Sequence, residues 1–219
     1  MKKVNKKGLC PAVCTLAAFI LWTFAVSCID VKAIGPQGST VGFATVNRFV
    51  HDLFGVNMSL YTVTDWLGLV PFGFVFGFAL LGLAQLIKRK SLLKVDYNIL
   101  VLGGFYVVVM AAYLLFEMAP VNYRPVLIEG VLEASYPSST TMLVMCVMPT
   151  AAMQLNSRIR SVALKRCVAL AIAAFIAFMV IGRLLSGVHW FTDIVGGALL
   201  SAGLVLMYRF VCSLKTKDV

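Results

Sequence analysis

The sequence predicts an all-α, polytopic membrane protein: a bundle of six transmembrane helices with both termini in the cytoplasm. Three observations predict it. Of 219 residues, 61% are hydrophobic and only 13% charged, with a mean hydropathy of +0.94, which leaves too little polar surface to cover a water-soluble globule. The apolar residues fall into six runs, 9–29, 66–87, 97–116, 138–155, 167–182 and 194–211, separated by short charged clusters. The basic residues gather in every second gap between those runs.

The first run follows a basic start, and with Ala25-Val26-Ser27 at its end residues 1–27 also have the outline of a signal peptide. The run is long for such a segment, and we read it as an uncleaved span. Residues 30–65 follow on the outside. Gly35-Pro36-Gln37-Gly38 marks a turn there, and a surface helix comes next, with Phe43, Val46, Val50 and Leu53 on one face and Arg48, His51 and Asp52 on the other. We read this helix as resting on the headgroups. The second run carries Gly73 and Gly77 in a G-x-x-x-G spacing, which serves close packing within a bundle or between copies. The second and third runs approach the ~20 residues that cross ~30 Å of hydrocarbon. The last three are shorter or carry charge near an end, as with Arg209, whose stem can reach the interface.

Charge placement sets the sidedness. Lys2, Lys3, Lys6 and Lys7 precede the first run, and Lys88, Arg89, Lys90 and Lys94 fill the second gap. Arg158, Arg160, Lys165 and Arg166 fill the fourth gap, and Arg209, Lys215 and Lys217 end the chain. Only Lys32, Arg48, Arg124 and Arg183 of the 19 basic residues lie on the opposite side. The positive-inside rule therefore puts both termini in the cytoplasm, and the net charge of +10 reports topology, not nucleic-acid binding. The chain reads as one membrane-embedded domain over 1–219. Cys10, Cys14, Cys28, Cys146, Cys167 and Cys212 form no CxxC pair, so neither a metal site nor a disulfide framework is expected.

Four residues on the outer side are costly near a membrane: Arg124, Arg183, His189 and Asp193. His189 and Asp193 are four apart at the start of a helical run and share a face, so Asp193 can orient the imidazole as a nucleophile or base requires. Arg183 precedes them by six residues across the Ser186-Gly187 turn, and Arg124 returns to the same side after two crossings. Two guanidiniums converging on one imidazole favour an oxyanion with several oxygens, phosphate above all. The fourth run opens with Pro137-Ser138-Ser139-Thr140, a helix start that offers backbone N–H groups and a positive dipole end to an anion.

These residues resemble the three signature blocks of the type 2 phosphatidic acid phosphatase (PAP2) superfamily: Tyr123-Arg124-Pro125, then Tyr136-Pro137-Ser138-Ser139, then Gly182-Arg183 with His189 and Asp193. The R-x5-H-x3-D spacing is the most specific part, and the resemblance spans residues 117 to 200. It implies that His189 attacks phosphorus to give a phosphohistidine, that Asp193 orients it, and that Arg124, Arg183, Ser138 and Ser139 hold the phosphoryl oxygens. It implies no metal or other cofactor. The membrane partner is the lipid bilayer and the substrate a lipid phosphate or diphosphate, with undecaprenyl diphosphate foremost, at the outer face of a bacterial plasma membrane. Phosphatidate and phosphatidylglycerol phosphate stand as alternatives.

The sequence departs from the family pattern in four places. Glu117 stands where the first block begins with Lys, Ser139 replaces a Gly, and Gly182 replaces a Ser. Thr140 occupies the position of the histidine that protonates the leaving oxygen. General acid help contributes ~10²–10⁴ in rate, so its loss should cost monophosphates, which leave as alkoxides, more than diphosphates. His51 is the only other histidine. Two other functions stand beside hydrolysis: capture of phospholipid headgroups without turnover, and phosphotransfer to a second lipid. A channel or transporter fits poorly, because the charged groups gather at one surface instead of threading the bundle.

Overall fold

The computed structural model describes residues 8–215; Lys2, Lys3, Lys6, Lys7 and Lys217, on which part of the sidedness reading rests, lie outside them. Among the described residues there are eight α-helices: α1 (Leu9–Cys28), α2 (Ala44–Phe54), α3 (Met58–Leu67), α4 (Val70–Arg89), α5 (Tyr97–Met118), α6 (Ser139–Arg158), α7 (Val162–Leu185) and α8 (Phe191–Lys215). A two-stranded antiparallel hairpin, Lys32–Ala33 with Thr40–Val41, brackets the turn at Pro36–Gly38.

Five segments are long and apolar enough to cross a membrane: α1, α3 with α4 taken together (Met58–Arg89), α5, α7 and α8. Their outward faces carry large apolar side chains, as with Phe72, Phe76, Leu80, Leu83 and Ile87 along α4, which is how a bundle meets lipid. The second segment starts earlier than residue 66, because Asn57 caps a helix at Met58 by accepting from Leu60 N. It breaks at Gly68, and Pro71 opens α4.

The fourth predicted run is the exception. α6 has 20 residues but is too polar to count as a span by composition. The reason is its position. It packs against α4, α5, α7 and α8, so its neighbours are mostly protein, and Thr141, Thr150 and Gln154 are buried inside the bundle. Thr150 Oγ1 donates to Cys146 O and Val147 O, both at 2.9 Å, and Gln154 Nε2 donates to Asn98 O at 3.2 Å. Thr150 and Gln154 are thereby satisfied without water, while Thr141 Oγ1 has no hydrogen-bond partner among the described residues.

α1 lies along α8 at close range, where a Cβ on Gly203 would stand 2.7 Å from Leu16 Cδ2. Gly73 and Gly77, in contrast, face open space, with nothing within 4 Å of a Cβ added at either, so their spacing makes no contact inside this bundle. α2 lies with Val46, Phe49 and Leu53 exposed, as a headgroup-resting helix would. Its inner side carries Asn47, which donates to Thr192 Oγ1 (2.9 Å) and accepts from Thr192 N (3.2 Å), pinning α2 to the start of α8.

Candidate active site

The ends of α3, α5 and α7 and the starts of α4, α6 and α8 meet at one end of the bundle, and the residues singled out from the sequence come together there. Arg183 sits in the last turn of α7 with 1% of its surface exposed. The chain then turns at Gly187, whose φ of +67° and position against the Gly55 carbonyl leave no room for a side chain. Asn57 N donates to Ser186 O at 3.0 Å and holds that turn against the segment between α2 and α3.

His189 follows, 3% exposed. Its Nε2 lies 3.4 Å from Arg183 Nη2, and its Nδ1 lies 3.1 Å from Ser135 Oγ. Asp193, fully buried in the first turn of α8, stands farther off, with Oδ2 3.9 Å from Nδ1. The link expected between this pair therefore runs through a third residue: Ser135 Oγ donates to Asp193 Oδ2 and faces His189 Nδ1. Donor and acceptor roles fix the tautomer. With its proton spent on Asp193, Ser135 Oγ accepts from Nδ1–H, which leaves the Nε2 lone pair facing the guanidinium. Asp193 is held in turn by Trp190 N (2.9 Å to Oδ2) and Asn122 Nδ2 (3.2 Å to Oδ1).

Arg124 reaches the site from the loop after α5. That loop folds back on itself: Arg124 N donates to Glu133 O at 3.0 Å and Ser135 N to Asn122 O at 2.9 Å, which lines up Asn122, Arg124 and Ser135 on neighbouring rungs. Trp190 Nε1 donates to Tyr123 O at 2.8 Å and locks the loop onto the His189 turn. The Tyr61 ring joins the two arginines, with Arg183 Cζ 4.9 Å and Arg124 Cζ 6.0 Å from its centroid. Arg124 Nε lies 2.9 Å from Glu133 Oε2, while Arg124 Nη1 and Arg183 Nε are buried without a hydrogen-bond partner among the described residues. Buried guanidinium donors left free in this way are suited to a multi-oxygen anion.

The start of α6 forms the third side. Ser138 is buried and caps the helix, its Oγ accepting from Thr141 N at 3.5 Å, while its own N donates to Asp193 O at 3.0 Å. Asp65, Ser139 and Thr140 line a cavity of about 400 Å³ that runs between α4, α5 and α6 among Leu69, Phe72 and Val109. Glu117, at the exposed end of α5, shares a narrow crevice with Ser135 and Ser139. His51 packs on Trp190, ring centroids 5.5 Å apart, and among the described residues it makes no hydrogen bond to Thr140 or the two arginines. Among the described residues no three His, Cys, Asp or Glu side chains converge as a metal site would require. Burial first, then the charges of Arg124 and Arg183, hold the His189 imidazole well below its ordinary pKa, so it is neutral.

Asn122, Ser135, Tyr61 and Asp65 carried no signal in the sequence. Asn122 and Ser135 flank the Arg124 loop without periodicity, and Tyr61 and Asp65 fall in a helix that runs into the second apolar span. Their importance rests on pairings between distant segments.

A membrane-spanning helical bundle with a neutral imidazole and two arginines gathered at one end defines a class of membrane protein that handles phosphate. The chain belongs to the PAP2 superfamily, whose family model matches residues 98–214. Its fold is that of a transmembrane PAP2-type phosphatidylglycerolphosphate phosphatase from Bacillus subtilis, with a TM-score of 0.61 at 18% sequence identity, covering 94% of this chain and 97% of that one. No curated protein matches the sequence significantly.

Proposed function

We propose that this chain is a lipid phosphatase that removes the terminal phosphate of a lipid diphosphate at the outer face of a bacterial plasma membrane, with six spans and both termini in the cytoplasm. The observation that carries this reading is the placement of Arg183 Nη2 3.4 Å from the free Nε2 of His189, with Arg124 on the same tyrosine ring. Phosphate held by the two guanidiniums, and by the backbone N–H groups of Ser139 and Thr140 at the α6 start, would present phosphorus to Nε2. Attack breaks the bond to the bridging oxygen and leaves a phosphohistidine, its ring charge balanced by Asp193 through the Nδ1–H to Ser135 to Asp193 hydrogen bonds. Water then releases inorganic phosphate. The apolar cavity between α4, α5 and α6 would take the lipid tail.

The preference for a diphosphate follows from Thr140, which cannot serve as a general acid. A departing lipid phosphate needs no proton, whereas a departing alkoxide does. Undecaprenyl diphosphate is the lipid chosen, since bacterial relatives recycle that carrier. The test is phosphate release by purified protein from undecaprenyl diphosphate and from phosphatidate, with His189→Ala and Thr140→His alongside. The native chain is expected to turn over the diphosphate, His189→Ala to lose turnover, and Thr140→His to raise phosphatidate turnover by ~10²–10⁴. No release from either lipid, with phosphate-lipid binding retained, would instead favour a headgroup-binding protein, for which Thr140 is the evidence.

A further inference from the structure

We propose that Asp65 is the base that removes a proton from water when the phosphohistidine is hydrolysed, taking over work that Thr140 cannot do. This rests on the phosphatase reading above and assigns the second of its two steps.

Asp65 lies in the last turn of α3, directly before the Gly68 break. The break abuts the α6 start, since a Cβ built on Gly68 would stand 3.5 Å from Thr140 Cγ2. Asp65, Ser139 and Thr140 line the same cavity. One guanidinium ties the carboxylate to the nucleophile: Arg183 Nη2 is 3.4 Å from His189 Nε2, and Arg183 Nη1 is 3.5 Å from Asp65 Oδ1. A phosphoryl group on Nε2 would thus sit beside the fork that also holds Asp65.

The pair is uneven in a way that bears on its role. Arg183 is 1% exposed, whereas Asp65 has 57% of its side chain open, and its Oδ2 accepts no hydrogen bond among the described residues. One carboxylate oxygen is steered by Arg183 and the other remains free for water. An acid near the C-terminal end of a helix also opposes the helix dipole, so local helix stability does not account for it. The neighbouring carboxylates are otherwise engaged or placed. Glu133 lies 2.9 Å from Arg124 Nε, Asp193 accepts from Ser135, Trp190 and Asn122, and Glu117 is not in this cavity.

In the first step the Nε2 lone pair forms the P–N bond, and the lipid monophosphate departs with the electron pair of its bridging oxygen. In the second, water oxygen bonds to phosphorus while one of its protons passes to Asp65, and the P–N pair returns to Nε2. Phosphate leaves, and Asp65 gives its proton to solvent through its open side.

The experiment is rapid-quench labelling of the full chain in nanodiscs, using lipid diphosphate with ³²P in the terminal phosphate. Asp65→Asn is expected to take label on histidine at close to the native rate, to accumulate it, and to release phosphate ~10²–10⁴ more slowly in steady state. Asp65→Glu is expected to recover part of the release. Native turnover in Asp65→Asn would overturn the proposal. So would equal loss of labelling and release, which would mean that Asp65 only positions Arg183. Absence of label in the native chain, with His189→Ala as active as native, would remove the phosphohistidine reading itself and this assignment with it.

Discussion

At the scale of single residues, the imidazole is set by its neighbours more than by its own chemistry. Ser135 stands between His189 and Asp193, so the proposed charge balance depends on a hydroxyl outside every signature block. A hydrogen bond to a charged group contributes ~1.5–3 kcal/mol, and Ser135→Ala is therefore expected to lower kcat by roughly 10- to 100-fold with little change in KM. Steady-state kinetics on lipid diphosphate checks this, and an unchanged kcat would mean that Asp193 acts on Nδ1 directly. The second prediction concerns pH. His189 is held neutral by burial and by the two arginines, with its folded pKa well below 6.5. Below pH ~6.5 the unfolded chain binds a proton there that the folded chain refuses, so this group's contribution to stability declines as pH falls from 6.5 toward the folded value. The lone pair of Nε2 stays free over the same interval. The acid limb of kcat/KM, which reports the free enzyme, should accordingly lie well below 6.5. A limb at the ordinary histidine value would contradict the buried, neutral ring.

At the scale of elements, what could be read in the sequence follows from which solvent each helix meets. α1, α4, α5 and α7 face lipid, so their apolar runs are plain; α5 passes the end of its run through Glu117, and α7 outruns its own at both ends, through Lys165 and Arg166 at the start and Arg183 at the close. α6 faces protein on most sides, so its apolar run of 138–155 is more polar and slightly shorter than the 20-residue helix it belongs to. The break at Gly68 is another blind spot, since an apolar run of 66–87 gives no sign that Asp65 and Thr140 line one cavity. In the candidate site, Arg124, Arg183, His189, Asp193 and the α6 start carried the pattern, while Asn122, Ser135 and Tyr61 had none, being joined to it only by the folded loop. Gly196 shows how an element is positioned. A Cβ there would lie 2.6 Å from Tyr136 Cε2, and Tyr136 cannot yield, being stacked on Phe19, edged by Phe116 and bonded through its hydroxyl to Thr23 Oγ1 at 2.7 Å. Gly196→Ala should destabilise the protein by ~1–3 kcal/mol and disturb the adjoining Pro137–Thr140 turn, lowering activity. Gly73→Ala, with open space around it, should stay within about 1 kcal/mol of native and err toward stabilisation. Thermal unfolding of both variants in detergent, with phosphate release at a fixed temperature, separates the two.

At the scale of the whole molecule, the bundle has two chemically different ends. One holds the arginines, His189 and the start of α6. At the other, Arg89, Lys94, Asp96, Arg158 and Lys215 line a common polar cleft, and Arg89 Nη1 pairs with Asp96 Oδ1 at 2.9 Å. Arg89, Lys94, Arg158 and Lys215, all assigned to the cytoplasm by charge, thus gather at the end opposite the site, as a single orientation across the bilayer demands. Two exposed positions report that orientation: Val131, in the loop that carries Arg124, and Leu93, between α4 and α5. Each can be changed to Cys after the native cysteines are replaced by Ser, with Ala for the buried Cys146. In intact cells a membrane-impermeant maleimide is expected to label Val131→Cys at once and Leu93→Cys only after permeabilisation. The reverse pattern would place the imidazole on the cytoplasmic side. An outer-leaflet diphosphate would then be the wrong substrate, and the phosphate released would appear inside the cell, where a lipid made in the inner leaflet would have to supply the reaction.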